Sequence, residues 1–239
     1  MAEQLRLGIL PESYVYPPAV RPVRDLLRRR MLIVQQRTLT LLSIESLFAR
    51  QGWSWPGVRE FKEWKRDQIR ALETDPFTEV QLTSLQELVG KQNRLVEWIE
   101  GKVQGTLKPK ADYQRLQQLP GIGPILSMVI LLESGEFQRF ASAGDYASYC
   151  RTVKSRRLSN DKNKGQNNRK NGNRYLSWAF AEAAVYALRF YPQIQSWYER
   201  KKRRSTVPKA MRALSCKLAK ATWHVMAGGQ EFDPAMLFG

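Results

Sequence analysis

The residues of this sequence best suited to chemistry are a serine, Ser159, and the cations that crowd it. Between positions 151 and 174 stand nine basic side chains, Arg151, Lys154, Arg156, Arg157, Lys162, Lys164, Arg169, Lys170 and Arg174, against one acid, Asp161. Six asparagines, Asn160, Asn163, Asn167, Asn168, Asn171 and Asn173, are threaded among them. Like charges at that density repel, so the segment stays open unless a polyanion neutralises it. Phosphates would do so with release of condensed counterions, which makes affinity strongly salt-dependent. Asparagines favour turns and hydrogen-bond phosphates or base edges. A serine hydroxyl in such a field attacks a phosphodiester only if something takes its proton and cations steady the charge developing on the phosphate. The residues supply the second requirement and not the first. His224 is the sole histidine, and Glu133, Glu136, Asp145 and Asp161 lack the spacing of a two-metal site. Two functions therefore stay open on these residues alone: a serine nucleophile, and a flexible basic loop that binds nucleic acid without chemistry.

A second constellation is "LPGIGP" at 119–124, lying between two helical segments. It has the form of a helix-hairpin-helix turn. Gly121 and Gly123, flanking Ile122, allow backbone conformations that a Cβ would obstruct, so amides of the turn and of the next helix can point at one phosphate oxygen. Such binding senses the backbone of a nucleic acid and not its sequence. The alternative is a tight interhelical turn whose glycines serve packing alone.

The whole chain supports a polyanionic partner. It has 239 residues, with 39 Lys and Arg against 22 Asp and Glu, a formal charge of +17. A 43% hydrophobic content is enough for a substantial core. A membrane is the competing polyanion, but the longest apolar run, "ILSMVILL" at 125–132, is too short to span one. The start "MAEQLRLGIL" lacks the features of a signal peptide, and a cytoplasmic location is expected. Cys150 and Cys216 are expected as small apolar residues and His224 as tucked against a helix face, with no metal motif in the chain.

The elements that must position these residues are helices. After Pro17, Pro18 and Pro22, the recurrence of Leu27, Met31, Val34, Thr38, Leu41 and Phe48 predicts one long amphipathic helix, interrupted by "GWSWPG" at 52–57. A shorter helix is expected from Val58 to Leu72 and a long one from Phe77 to Val103. Leu85, Leu88, Leu95 and Ile99 form one seam of that helix, and Val89, Val96 and Val103 another beside it. The two long helices fit an antiparallel hairpin within the chain or a dimerising coil. "GKVQGTLKPK" at 101–110 suggests a linker. Beyond the basic loop, an apolar helix is expected over Arg174–Tyr191, ended by Pro192. Another should start near Pro208, with Met211, Leu214, Leu218 and Val225 on one face. No alternating strand run appears. The predicted fold is mostly α: a long helical hairpin arm over 20–104, then a helical domain over 111–239 holding the helix-hairpin-helix turn and the basic loop.

The order "LQQLPGIGPILSMVILLESGEFQRFASAGDYASYC" and then "SRRLSNDKNKGQNNRKNGNRYLSWAFAEAA" resembles the C-terminal domain of DEDD-type insertion-sequence transposases, relatives of the Piv-type DNA invertases. The arm is similar to the helical coil of that family. The resemblance implies DNA cleavage and rejoining by a serine that becomes joined to DNA. The serine falls on Ser159, with Ser155 as runner-up, because "LSNDK" stands where many relatives carry Ser-Ser-Gly-Gly-Lys. Nucleic acid would be held by Gly121, Ile122, Gly123, Arg156, Arg157, Lys162, Lys164, Arg169, Lys170, Asn173 and Arg174. The partners implied are DNA, a structured guide RNA, and further copies of the chain or a full-length relative, with no membrane. The family's divalent metal, magnesium, belongs to an Asp-Glu-Asp-Asp cluster in a RuvC-like domain, so no cofactor is expected in this chain. Residues 1–19 resemble the segment that follows that domain, which would place it upstream of Met1. A chain without it would bind nucleic acid and not turn over alone. The alternative is a non-enzymatic fragment that binds DNA or structured RNA.

Overall fold

The computed structural model describes residues 2–9, 14–72, 74–107, 111–153, 156–159, 162–166 and 171–238. After a short α1 (Ala2–Arg6), helix α2 (Arg21–Gln51) opens with Pro22 in its first turn and stops at Gly52, whose left-handed conformation turns its amide back to the carbonyls of Phe48 and Ala49. Two short helices, α3 (Val58–Phe61) and α4 (Arg66–Arg70), replace the single helix expected over Val58–Leu72. Helix α5 (Pro76–Leu107) starts where the Asp75 carboxylate accepts the amides of Phe77 and Thr78.

Helices α2 and α5 form an antiparallel hairpin within the chain: Arg37 donates to Asn93, and one turn-pair nearer the base Arg30 donates to Glu100. The valine seam is buried whole, and of the other seam only Ile99 is buried. Val89, Val96, Val103 and Ile99 are buried, whereas Leu88 and Leu95 are 44% and 46% exposed. A single partner helix covers one stripe, and the neighbouring leucines fall outside it. At the far end of the arm Phe48 meets Trp53, Trp55 and Phe61 edge-on at 5.1–5.8 Å between ring centres. With Ile44, Leu47, Ile69 and Leu82 they form a separate small core.

The expected linker at 101–110 is helix through Leu107, and 108–110 lie outside the described residues. Gly101 and Gly105 each cost the helix about 1 kcal/mol, but Val103 and Leu107 are buried on the main core, each worth roughly 1.5–3 kcal/mol. Burial wins. That core joins the base of the arm to the C-terminal helices: α6 (Ala111–Leu116), α7 (Pro124–Ser134), α8 (Ala143–Tyr149), α9 (Arg174–Phe190), α10 (Pro192–Arg203), α11 (Val207–Ala227) and α12 (Pro234–Phe238). At its centre lies α9, whose Ala179, Ala183, Ala184 and Ala187 are fully buried and let neighbouring helices approach closely.

The fold is mostly α, with three departures from expectation in the C-terminal part. Pro192 ends α9 as expected but also starts α10, because its fixed φ suits a first helical turn. His224 is exposed, its ring edge-on to Trp223, because Leu218, Thr222 and Val225 hold the inward face of α11. The basic segment contains a two-stranded antiparallel hairpin, β1 (Arg156–Ser159) and β2 (Lys162–Gln166). Polar and basic residues on both strands hide the apolar alternation by which a strand is recognised. Among the described residues no helix is long and apolar enough to cross a membrane.

The covered and uncovered apolar positions of α5 predict different costs. Ile99→Ala should lower unfolding stability by about 2–4 kcal/mol, and Leu95→Ala by less than about 1 kcal/mol. Chemical denaturation midpoints of the two variants measure the difference, and equal losses would contradict the burial of Ile99 and exposure of Leu95.

Candidate nucleic-acid interface

The basic hairpin stands on a foot tied at both ends. On the outgoing side α8 closes with Thr152, whose amide and hydroxyl both donate to the Ala147 carbonyl, at 3.0 and 2.8 Å. Arg151 between them sits at φ 56°, a left-handed conformation that non-glycine residues seldom adopt. On the returning side the Asn173 amide donates to the Tyr149 carbonyl at 2.7 Å, and an Arg151 Nη donates to the Gly172 carbonyl at 3.0 Å. The strands come so close that a Cβ on Gly172, at φ 74°, would lie 2.5 Å from the Tyr149 oxygen. From α11, Arg212 donates to the Arg151 carbonyl.

Asn173 is the pivot of this foot. Its Oδ1 accepts the amides of Tyr175 and Leu176, capping α9, while its Nδ2 donates to Glu133 Oε2 at 2.7 Å. Glu133, on α7, is 2% exposed. Its carboxylate takes a two-pronged hydrogen bond from Arg28 of the arm, Nε to Oε1 at 2.5 Å and Nη2 to Oε2 at 2.7 Å. That bond holds the Arg28 guanidinium above its ordinary pKa, against the opposing effect of burial. The Tyr16 hydroxyl donates to the Glu133 backbone carbonyl at 2.5 Å and lies 3.5 Å from the Tyr149 hydroxyl. Burial, reinforced by Tyr149, pushes its pKa well above the ordinary phenol range. Arg139 lies over the rings of Tyr14, Phe140 and Tyr149 and pins the same N-terminal segment.

Above the foot, Arg156 pairs with Gln166, Leu158 with Asn163, and Ser159 with Lys162, with an irregularity between Arg156 and Leu158. Ser159 is thus the last residue of β1, opposite Lys162 across the end of the hairpin, and Lys162 is exposed. Arg157 and Lys164 lie within the strands. Ser155, Arg169 and Lys170, with Lys154, Asn160, Asp161, Asn167 and Asn168, fall outside the described residues. Arg174 opens α9, exposed, with its guanidinium donating to the Tyr175 hydroxyl at 2.9 Å. Asn173 differs from these cations: its amide is spent inside the fold.

The glycine turn divides in two. A Cβ on Gly121, at φ 75°, would lie 2.1 Å from the Ala183 carbonyl oxygen and 2.7 Å from the Ala187 nitrogen, so this glycine lets the turn rest on the backbone of α9. Ile122 is buried beside it. Gly123 has open space at its Cβ position and caps α7, with Pro124 in the first turn. The first-turn amides of α7 border a cleft of about 430 Å³ shared with Tyr186, Phe190 and Tyr191.

Two of the acids near the hairpin, Glu133 and Asp145, are engaged by other groups; Asp161 lies outside the described residues. Glu133 is held as described, and Asp145 accepts the Ser142 hydroxyl in the cap of α8. Among the described residues no three His, Cys, Asp or Glu gather into a possible metal site. The Arg28–Glu133–Asn173 linkage went unseen in the sequence. Its one signal was an acid, Glu133, inside the apolar run "ILSMVILLES", since a carboxylate there needs a buried cation.

Residues 113–199 match the model of the Transposase IS116/IS110/IS902 family. The matched stretch carries the glycine turn, Glu133, the basic hairpin, Asn173 and most of α10, and over it the chain is similar to insertion-sequence transposases. No curated protein matches the chain.

Removing the cation should expose the strain of the buried acid. Arg28→Met is expected to cost about 3 kcal/mol, the penalty of an unpaired buried charge, and to speed amide exchange at Tyr175 and Leu176. Adding Glu133→Gln to it should recover part of the loss. If the double variant is no more stable than Arg28→Met, as measured by denaturant titration, the ion pair is not what holds the foot.

Proposed function

We propose that this chain is the nucleic-acid-gripping, serine-bearing part of an insertion-sequence transposase, acting in DNA transposition by strand cleavage and rejoining. The observation carrying the proposal is the position of Ser159 at the end of a basic hairpin, opposite Lys162, on a foot tied at both ends. The similarity of residues 113–199 to insertion-sequence transposases supports it independently.

In the proposed step the Ser159 hydroxyl oxygen attacks a DNA phosphorus, the bond to one deoxyribose oxygen breaks, and a serine phosphodiester replaces it. The serine proton passes to a base outside the described residues, and the departing oxygen takes up a proton. Attack by a deoxyribose hydroxyl on the serine phosphodiester reverses the sequence and rejoins DNA. Lys162 with Arg156, Arg157, Lys164, Arg169, Lys170 and Arg174 lowers the cost of the charge that gathers on the phosphorus oxygens. Gly123 and the first turn of α7 would take a backbone phosphate. Asn173 acts as a positioning residue, setting the return of the hairpin into α9. An acidic domain with its magnesium would come from another segment or chain, along with a structured guide RNA and further copies of the protein. The engagement of Glu133 and Asp145 by other groups favours one alternative, a non-enzymatic binder of DNA or structured RNA.

One measurement tests both readings and a second separates them. Engagement of five phosphates predicts a slope of log K against log salt of about −4.5 on duplex DNA, and a slope near zero would remove the grip from both. With a fragment bearing an acidic domain supplied in trans, the chain should form a covalent adduct with DNA. Ser159→Ala should abolish that adduct while leaving affinity within about twofold. An adduct surviving in Ser159→Ala but lost in Ser155→Ala moves the nucleophile to the runner-up, and none in the unmodified chain leaves the binder.

A further inference from the structure

Three clefts lie end to end, the first two along the seam between α2 and α9 and the third between the glycine turn and the end of α9. The first, about 410 Å³, sits beside the foot of the hairpin and is lined by Arg28, Arg29, Arg174, Tyr175 and Trp178. It shares Gln35 and Trp178 with a second of about 620 Å³, which Arg30 and Arg37 border. The second shares Ile125, Leu126 and Tyr186 with the cleft at the glycine turn, where Phe190 lies. The result is one groove from the hairpin foot to the first turn of α7. Its two walls differ in chemistry.

Over the first two clefts one wall is α2, with arginines at 28, 29, 30 and 37. Three are fixed by partners: Arg28 by Glu133, Arg30 by Glu100 at 2.6–2.7 Å, and Arg37 by Asn93 at 2.8 Å. The other wall is one face of α9, where Tyr175, Trp178, Tyr186 and Phe190 recur at steps of three, eight and four residues. A four-residue step rises about 6 Å along a helix. Tyr186 and Phe190 are 45% and 66% exposed, a large apolar area to leave in water without a partner. The acids bordering the groove are Asp25 and Glu182; with Arg28 and Arg30 already matched by Glu133 and Glu100, the cations that face a strand without a carboxylate partner of their own among the described residues are Arg29, Arg37 and Arg174.

We propose that this groove is a track for single-stranded nucleic acid, its phosphates along the arginines of α2 and its bases on the aromatic face of α9. Aromatic platforms bind bases whose faces are free, which a duplex keeps stacked on each other, so the groove selects an unpaired strand. The track rests on the proposed nucleic-acid function and extends it: the hairpin grips phosphates at one end of the groove and unpaired nucleotides continue along it. It also gives α2 a function beyond forming the arm.

The test compares a labelled 12-nucleotide single strand with a duplex of the same sequence by fluorescence anisotropy, using the full chain. Tyr186→Ala and Phe190→Ala, at exposed positions that leave the core intact, should each weaken single-strand binding about fivefold or more, from base stacking worth about 1–3 kcal/mol. Duplex affinity should change less than twofold. Arg29→Glu should weaken the single strand as well. A strand carrying 5-iodouracil should crosslink within residues 175–190. Lys162→Glu with Lys164→Glu tests the hairpin separately and should weaken both ligands. If the hairpin variant loses affinity while the three groove variants bind single strand as the parent does, the track is wrong and the parent function stands. If single strand and duplex weaken equally in the groove variants, the groove is a general phosphate surface and the selectivity is overturned.

Discussion

The buried ion pair between Arg28 and Glu133 is the constraint on which the arrangement of the molecule depends. A carboxylate this deep is costly to desolvate, and the cost is offset only when its oxygens are hydrogen-bonded and a cation is held against it. Arg28 meets the requirement with a fork that matches both oxygens, a geometry a lysine cannot offer. Asn173 supplies the remaining donor. Three elements far apart in sequence, α2, α7 and the start of α9, thereby acquire one relative position. Because the same asparagine caps α9, the hairpin's return into the core is set by the acid that anchors the arm.

That geometry explains how so basic a segment can be carried on an ordered scaffold. Arg174 at the first position of α9 and Arg151 at a left-handed turn are electrostatically and conformationally unfavourable placements. They persist because the surroundings over-determine them: Asn173 caps the helix, Gly172 admits the close crossing, and Arg212 braces the turn from α11. Beneath, the alanines of α9 bring the Gly121 turn into backbone contact, so the groove inherits a stiff floor.

Much of this was legible in the sequence, wherever the signal was a period or a breaker. The long helices of the arm, the apolar α9 and the inward face of α11 followed from spacing. What escaped had no local signature. Leu88 and Val89 are equally apolar, and only the position of α2 decides which is covered. Pro192 signals both an end and a beginning, and α10 lay behind the first meaning. The strands of the hairpin lacked apolar alternation because Leu158 is their one apolar side chain. At the candidate site, the sequence nominated the cations, Ser159 and the glycine turn from composition. The division of labour within them required coordinates: Gly121 serves packing, Asn173 is turned inward, and Glu133 is occupied. The partner of Glu133 lies 105 residues away, beyond the reach of any motif.

The arm carries its own small aromatic core at the end remote from the hairpin. A helix of 31 residues extends on the order of 45 Å, whereas charges in physiological salt are screened within about 8 Å. The cap of tryptophans is therefore electrically insulated from the cationic end: neutralising one leaves the potential at the other unchanged. Substitutions at the tip's surface therefore leave the field at the grip unchanged, and any coupling between the two ends has to run through the packed helices.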